Sequence, residues 1–277
     1  MGKMKLGLQM WSIHDVCMKE GICKAIEIVK ELGYDGFEFA INDRGTVEEL
    51  FGVKPAEVKK ALQANDVKGI GYHASSRLLF ENPDPILKEC VELEIPYAAI
   101  GPAFYGDRTP HKKQIEIIKK VEKAAKIFKS NGVQLQVHCA AYGYLHDYKG
   151  RYTVDGMFED VGLEYLQPEF DTAWMICGGV DPAEYLHKYK GYVDILHFKD
   201  YRPLSKDEDS EYILVRHDTV NDYHFGCAVG DSGVLDIAPI VRAAEECGTK
   251  WAVTELWNEP DSLENARISA QNLKKYL

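Results

Sequence analysis

The sequence predicts an α/β protein built as a closed (β/α)8 TIM barrel, on three observations. Short apolar extended runs alternate with amphipathic helical stretches eight times, the pattern of a parallel sheet with crossover helices. No proline- or glycine-rich linker interrupts the alternation. The chain has 277 residues, and a barrel of this kind takes roughly 250 as one domain. We expect one domain over 1–277 with an inserted loop at about 202–233. An open doubly wound sheet is the structural alternative, but no GxGxxG follows the first strand to bind a dinucleotide.

The elements follow in order. Lys5 to Ile13 (KLGLQMWSI) is a β-rich run. Ile22, Ala25, Ile26, Val29 and Leu32 then keep helical spacing up to Gly33, a helix terminator. Gly36 to Ala40 is a second strand, and Lys54-Pro55 opens a helix to about Asn65. Lys68 to Ala74 is a third strand carrying His73, followed by a turn at Asn82-Pro83 into a helix with Ile86, Leu87, Cys90 and Leu93. Tyr97 to Ala103 is the fourth strand. From Thr109 to Asn131, Ile115, Ile118, Val121, Ala125 and Phe128 mark a long helix closed by Gly132. Val133 to Ala141 is the fifth strand, with a shorter helix near Asp155 to Leu163. The sixth strand ends at Asp171. Asp181-Pro182 caps and opens the next helix, and Val193 to Phe198 is the seventh strand. Asp236 to Cys247, Trp251 to Trp257 and Ser262 to Leu277 complete the set as helix, strand and helix.

Charge and cysteine usage limit the partners. Acidic residues outnumber basic ones 44 to 33, a formal net charge of −11. Phosphate backbones are held by clustered Lys and Arg, so no nucleic-acid partner is expected. No apolar run approaches the ~20 residues that span a bilayer, so no membrane partner is expected. The N-terminal MGKMKLGLQMW lacks the apolar stretch of a signal peptide. Seven cysteines, an odd number without a CxxC pair, read as reduced thiols of a cytoplasmic protein.

Polar residues recur at the predicted strand ends: Gln9, Glu38, His73, His138, Asp171, His197 with Lys199, and Glu255. In a barrel these ends converge on one mouth, where active sites are built. His138, Asp171, His197 and Glu255 come from strands five to eight, which are neighbours. Two imidazoles and two carboxylates without a thiolate suit a divalent cation. Mn2+ is the first expectation, with Mg2+, Co2+, Zn2+ and Fe2+ open. Each residue also has a plainer reading. A strand histidine is commonly a hydrogen-bonded core residue, Asp171 can be a helix cap, and Glu255 can pair with a Lys or Arg. Trp11, Trp174 and Trp257 lie near strand ends, where they either stack on a sugar ring or pack loops against the core. With Glu38 and His73 they are candidate substrate contacts. The polar stretch 202–233 follows the seventh strand and reads as a lid or a subunit contact, with a homo-oligomer open.

Several stretches resemble the sugar phosphate isomerase/epimerase superfamily, the xylose isomerase-like TIM barrels. They are LGLQMWSIHD, ELGYDGFEFA, EFDTAW, GVDPAEYLHKYKGYVDILHFKD, GDSGVLDIAPIVRAAEECG and WAVTELWNEP, which together span nearly the whole chain. The resemblance implies that Asp171, His197 and Glu255 are metal ligands. It implies a fourth ligand at the end of the fifth strand, usually Glu, where this chain has His138. The implied chemistry is proton abstraction beside a carbonyl or hydroxyl of a sugar or keto-sugar. Glu255 is the first candidate base, His146 the second, and Lys199 a donor to a substrate oxygen. In family epimerases two metal-linked glutamates work on opposite faces of the sugar carbon, so the loss of one gives weight to an alternative. That alternative is a lyase or dehydratase acting by β-elimination from a keto-sugar, inosose or keto-glycoside. An apurinic endonuclease shares the fold but needs more ligands and a basic groove, and a non-catalytic binding barrel is a further class.

Overall fold

The computed structural model describes residues 3–101, 111–145, 148, 150–203, 223–224, 227–257 and 261–277. Eight parallel strands close on themselves. They are β1 (Lys5–Gln9), β2 (Gly36–Asn42), β3 (Lys68–Ala74), β4 (Tyr97–Ile100), β5 (Gln134–Cys139), β6 (Leu166–Asp171), β7 (Ile195–Phe198) and β8 (Trp251–Thr254). Each strand pairs with the next in sequence, and β8 returns to β1 through Lys5↔Trp251 to Leu8↔Thr254. The predicted barrel is therefore the observed one. Among the described residues no helix is long and apolar enough to cross a membrane. All seven cysteines are free thiols.

The boundaries moved where local chemistry overrides the apolar pattern. The first apolar run extends to Ile13, but β1 stops at Gln9. The Gln9 side chain accepts the Trp11 N–H and caps a 3-10 turn over Met10–Ile13, followed by a helix over His14–Glu20. Short helices over Val47–Phe51, Ser76–Glu81, Tyr142–Leu145 and Thr172–Cys177 add to the expected set. The fourth strand ends at Ile100, and the rest of its predicted length lies largely outside the described residues. The long helix is Val121, Ala125 and Phe128 buried along His111–Ser130. In the predicted insertion, Arg202–Pro203 pairs antiparallel with Tyr223–His224. Residues 204–222 lie outside the described residues, and with them most of the lid reading.

Alternation along the strands stacks side chains inside the barrel. On β7 the inner row is Ile195, His197 and Lys199, all fully buried. The floor is apolar: Ile70, Tyr97, Ile195, Trp251 and Val253 form a cluster of their own. Above it the lining turns polar. A register shift between β2 and β3 at Phe37/Glu38 makes this possible. A Cβ on Gly69 would meet Ile95, Leu62 and Phe39 in the outer core. Ile70 nevertheless faces the floor, and a bulge next to it re-aims the strand so that His73 also faces inward. Gly71 fills the bulge because a Cβ there would lie 2.4 Å from Glu38 Oε1.

Candidate metal centre

Asp171 ends β6 and caps the helix Thr172–Cys177. Its Oδ1 accepts the Trp174 N–H at 3.0 Å, which turns Oδ2 toward the barrel mouth. Both readings of Asp171, cap and site residue, therefore hold at once, one for each oxygen. Glu255 follows β8 directly. Its Oε1 accepts a hydrogen bond from Lys199 Nζ at 2.7 Å and its Oε2 one from His197 Nδ1 at 2.7 Å. Lys199 Nζ also lies 3.2 Å from Asp171 Oδ2 and sits over the Trp174 ring at 5.4 Å. The Thr172 hydroxyl donates to the Lys199 carbonyl at 2.8 Å and accepts its N–H at 3.0 Å, which fixes the backbone that carries the lysine. His138 Nε2 lies 3.2 Å from Glu255 Oε2 and 3.9 Å from Asp171 Oδ2.

A second group lies alongside. His73 Nε2 is 2.7 Å from Glu169 Oε2 and 3.4 Å from Glu38 Oε2. His197 Nε2 is 2.8 Å from Glu38 Oε2 and 3.9 Å from Glu169 Oε1. The rings of His73, His138 and His197 form a triangle with centroids 5.0 to 5.5 Å apart. In each of two sets, Glu38–His73–Glu169–His197 and His138–Asp171–His197–Glu255, the ligand atoms lie within 4.8 Å of one another.

Four carboxylates and one lysine are buried together here. Burial by itself would strip charge from all of them, yet the neighbours reverse its effect. Burial would raise Glu38 and Glu255, but His197 and His73 hold Glu38 far below the usual carboxylate range, and Lys199 and His138 do the same for Glu255. Burial would lower His73, but Glu169 and Glu38 push it up to about 10. His197 is raised well above its ordinary value by Glu38 and Glu169 against the same burial, and Lys199 is raised by Asp171 and Glu255. The cluster draws in positive charge, as protons or as metal.

The donor geometry fits a metal. Both oxygens of Glu38 and Glu169, Asp171 Oδ2, and the Nε2 atoms of His73, His138 and His197 are buried without a hydrogen-bond partner. Their short contacts are not aligned as hydrogen bonds. Atoms bound at roughly 2.0–2.2 Å to one ion sit about 3–3.5 Å from each other, and the contacts here scatter around that range, from 2.7 to 3.9 Å.

The sequence pattern of the xylose isomerase-like TIM barrel matches residues 26–276. The chain belongs to that family. Solved xylose isomerase-like barrels share the fold at low identity. A sugar phosphate isomerase/epimerase from Parabacteroides distasonis superposes with a TM-score of 0.76 at 20% identity, covering 99% of this chain and 98% of its own. A probable 3-DHS dehydratase of petrobactin synthesis, AsbF from Bacillus anthracis, gives 0.73 at 11% identity over 98% and 99%. A D-allulose 3-epimerase from Methylomonas sp. gives 0.69 at 13% identity over 99% and 98%. A search of curated proteins gives no match. The solved structures that share this fold are thus named as epimerases and as a dehydratase.

Within this family member, the four residues read from strands five to eight do meet. Glu38 and His73 lie among the buried groups of the second set. Trp174 is buried over Lys199, and Trp257 is half-buried against Ala140, Ala141, Ala173 and Cys177. Trp11 is half-buried, with the Arg44 guanidinium 5.5 Å over its ring and His14 beside it. His146 lies outside the described residues. Asp200, next to Lys199, accepts the N–H groups of Tyr201, Gly230 and Leu235 at 2.8, 2.9 and 3.0 Å. It tethers the returning chain, and Gly233 has no side chain because a Cβ there would strike the Asp200 carboxylate. Glu169 was missed. Its signal was its place two residues before Asp171, on the same inward face of β6.

Proposed function

We propose that this chain is a metal-dependent sugar isomerase or epimerase, acting by proton transfer beside a carbonyl or hydroxyl of a sugar or keto-sugar. The observation that carries the reading is the convergence of His138, Asp171, His197 and Glu255 beside a fully buried lysine. His138, Asp171 and Glu255 would hold the cation. His197 is the fourth member, reaching it directly or through its Nδ1–H bond to Glu255. A divalent cation held there would supply Lewis acidity to a substrate oxygen. Lys199 is charged and aimed at the mouth, so it donates a hydrogen bond to the substrate oxygen on which negative charge grows. Glu255 is held a weak base while Lys199 rests on its Oε1. A substrate oxygen that draws Lys199 away frees that oxygen to take the carbon-bound proton. Trp174 shields Lys199 from water.

A dehydratase is the second reading, favoured by one observation. At the β5 ligand position stands His138 in place of a glutamate, so the pair of metal-linked glutamates that the resemblance implies is reduced to Glu255. With one base and one acid, Glu255 removes a proton and Lys199 donates one to a departing hydroxyl. Incubation of the Mn2+-loaded protein with ketohexoses and keto-inositols in D2O separates the readings. An epimerase or isomerase puts deuterium into recovered sugar of unchanged composition. A dehydratase gives a product one water lighter, with the absorbance of an enone. Neither outcome with any such substrate would refute the proposal.

A further inference from the structure

The mouth set leaves the deeper half of the polar cluster unused: Glu38, Glu169 and His73. These side chains are respectively 0%, 0% and 6% exposed. Two buried carboxylates with four oxygens lacking a hydrogen-bond donor are too costly to be incidental. A proton-linked network would place N–H groups in line with the oxygens. Here four imidazole–carboxylate contacts fall between 2.7 and 3.9 Å, and none is aligned.

His197 decides how the cluster divides. Its Nδ1 makes a well-formed hydrogen bond to Glu255 Oε2 at 2.7 Å. When the ring is neutral, as metal binding requires, the proton sits on Nδ1 and Nε2 carries the lone pair. That nitrogen has no hydrogen-bond partner and lies among the oxygens of Glu38 and Glu169. An imidazole whose far N–H is held by a carboxylate is the usual arrangement of a metal-bound histidine.

We propose that the protein holds a second divalent cation, below the mouth, on Glu38, His73, Glu169 and His197 Nε2. Four protein ligands enclosed in the barrel make a closed site, the structural kind, with no position for substrate. Two nitrogens and two oxygens suit Zn2+, Mn2+ or Fe2+ and give no footing to a soft thiophilic ion. The mouth cation then keeps His138, Asp171 and Glu255, and its other positions face the substrate. His197 joins the two sites: it binds the inner ion and fixes the Glu255 carboxylate that serves the outer one. Gly71 belongs to the same design, since any side chain there displaces Glu38.

The claim about the inner ion does not depend on the reaction assigned to the mouth. The test is metal content of the full chain, stripped with chelator, reloaded with Mn2+ or Zn2+, desalted and measured by mass spectrometry. We expect two equivalents per chain in the wild type. Glu38→Gln and His73→Gln should each halve that content and keep the mouth ion, while His138→Gln should lose the mouth ion and keep the inner one. A wild type that takes up one equivalent, unchanged by Glu38→Gln, overturns the proposal. Should the inner variants fail to fold, anomalous scattering from Mn2+-loaded wild-type crystals answers alone. A peak bounded by Glu38, His73 and Glu169 supports the inner site, and its absence there overturns it. A peak there with none between His138 and Asp171 upholds the inner site and defeats the proposed mouth chemistry instead.

Discussion

Replacing Lys199 with methionine tests the electrostatic reading of the mouth, because it moves two properties in opposite directions. Methionine keeps most of the aliphatic stem and removes only the charge. Lys199 is fully buried, with Nζ 2.7 Å from Glu255 Oε1 and 3.2 Å from Asp171 Oδ2. Removing one partner from a buried ionic group strands the others and costs about 3–5 kcal/mol. The metal-free protein should therefore melt on the order of 10 °C lower, given a few degrees per kcal/mol for a domain of this size. Metal affinity should rise. Lys199 competes with a cation for Asp171 Oδ2 and Glu255, and a unit charge pair at ~4 Å near a protein surface is worth about 4 kcal/mol before other adjustments. A gain of at least ~10-fold in Mn2+ affinity, about 1.4 kcal/mol, is the expected floor. Turnover should drop roughly 100-fold or more through loss of the acid. Thermal melts with and without chelator, together with calorimetric Mn2+ titration, read both quantities. A variant that melts with the wild type and binds Mn2+ with unchanged affinity would refute the reasoning, since Lys199 would then not be the counter-charge of this cluster.

Other substitutions probe the support around the site. Gly71→Ala places a Cβ 2.4 Å from Glu38 Oε1. It should cost about 1–3 kcal/mol in overpacking and lower the metal content, and unchanged metal content would count against the role given to Glu38. Asp200→Ala removes three charge-assisted bonds to backbone N–H groups of residues 201, 230 and 235. At roughly 1.5–3 kcal/mol for each bond to a charged group, less what water recovers, a loss of several kcal/mol is expected, with faster proteolysis near 228–235. Glu89 is buried and accepts the N–H groups of Val47 and Glu48 and the Tyr72 hydroxyl. Glu89→Gln turns one acceptor into a donor facing donors and should cost about 1–3 kcal/mol with little change in metal binding. Burial pushes the Cys17 and Cys177 thiols up to about 12, and Cys23 is also raised by burial and by Glu57. A thiol reagent at neutral pH should react slowly with the native protein and find seven thiols after denaturation, and fast reaction of several native thiols would contradict that packing.

The differences between the sequence reading and the structure fall on particular residues. The helix Val47–Phe51 was legible in principle: Thr46 and Glu49 form a reciprocal capping box, and the residues TVEE spell it. Five residues carry too little apolar period to mark the helix in any other way. The end of β1 depended on the Gln9 side chain capping the next turn, a hydrogen bond that competes with the strand and carries no periodic signal. Glu169 went unread for a different reason. It lies inside β6, in the extended run that leads to Asp171, and not at the strand's end. Its partners, His73 and His197, come from strands far away in the chain.

What the sequence determined by itself is the barrel and the mouth, because both rest on short-range regularities. Apolar spacing sets eight strand–helix units, and a polar residue at the end of each neighbouring strand is carried to one rim by closure alone. The inner group was decided only in three dimensions. The β2–β3 bulge turns Ile70 and His73 to the same side, Gly71 yields room to Glu38, and the His197 ring presents one nitrogen to each set. Ring orientation and strand register come from packing among distant residues, and no local pattern in the chain encodes them.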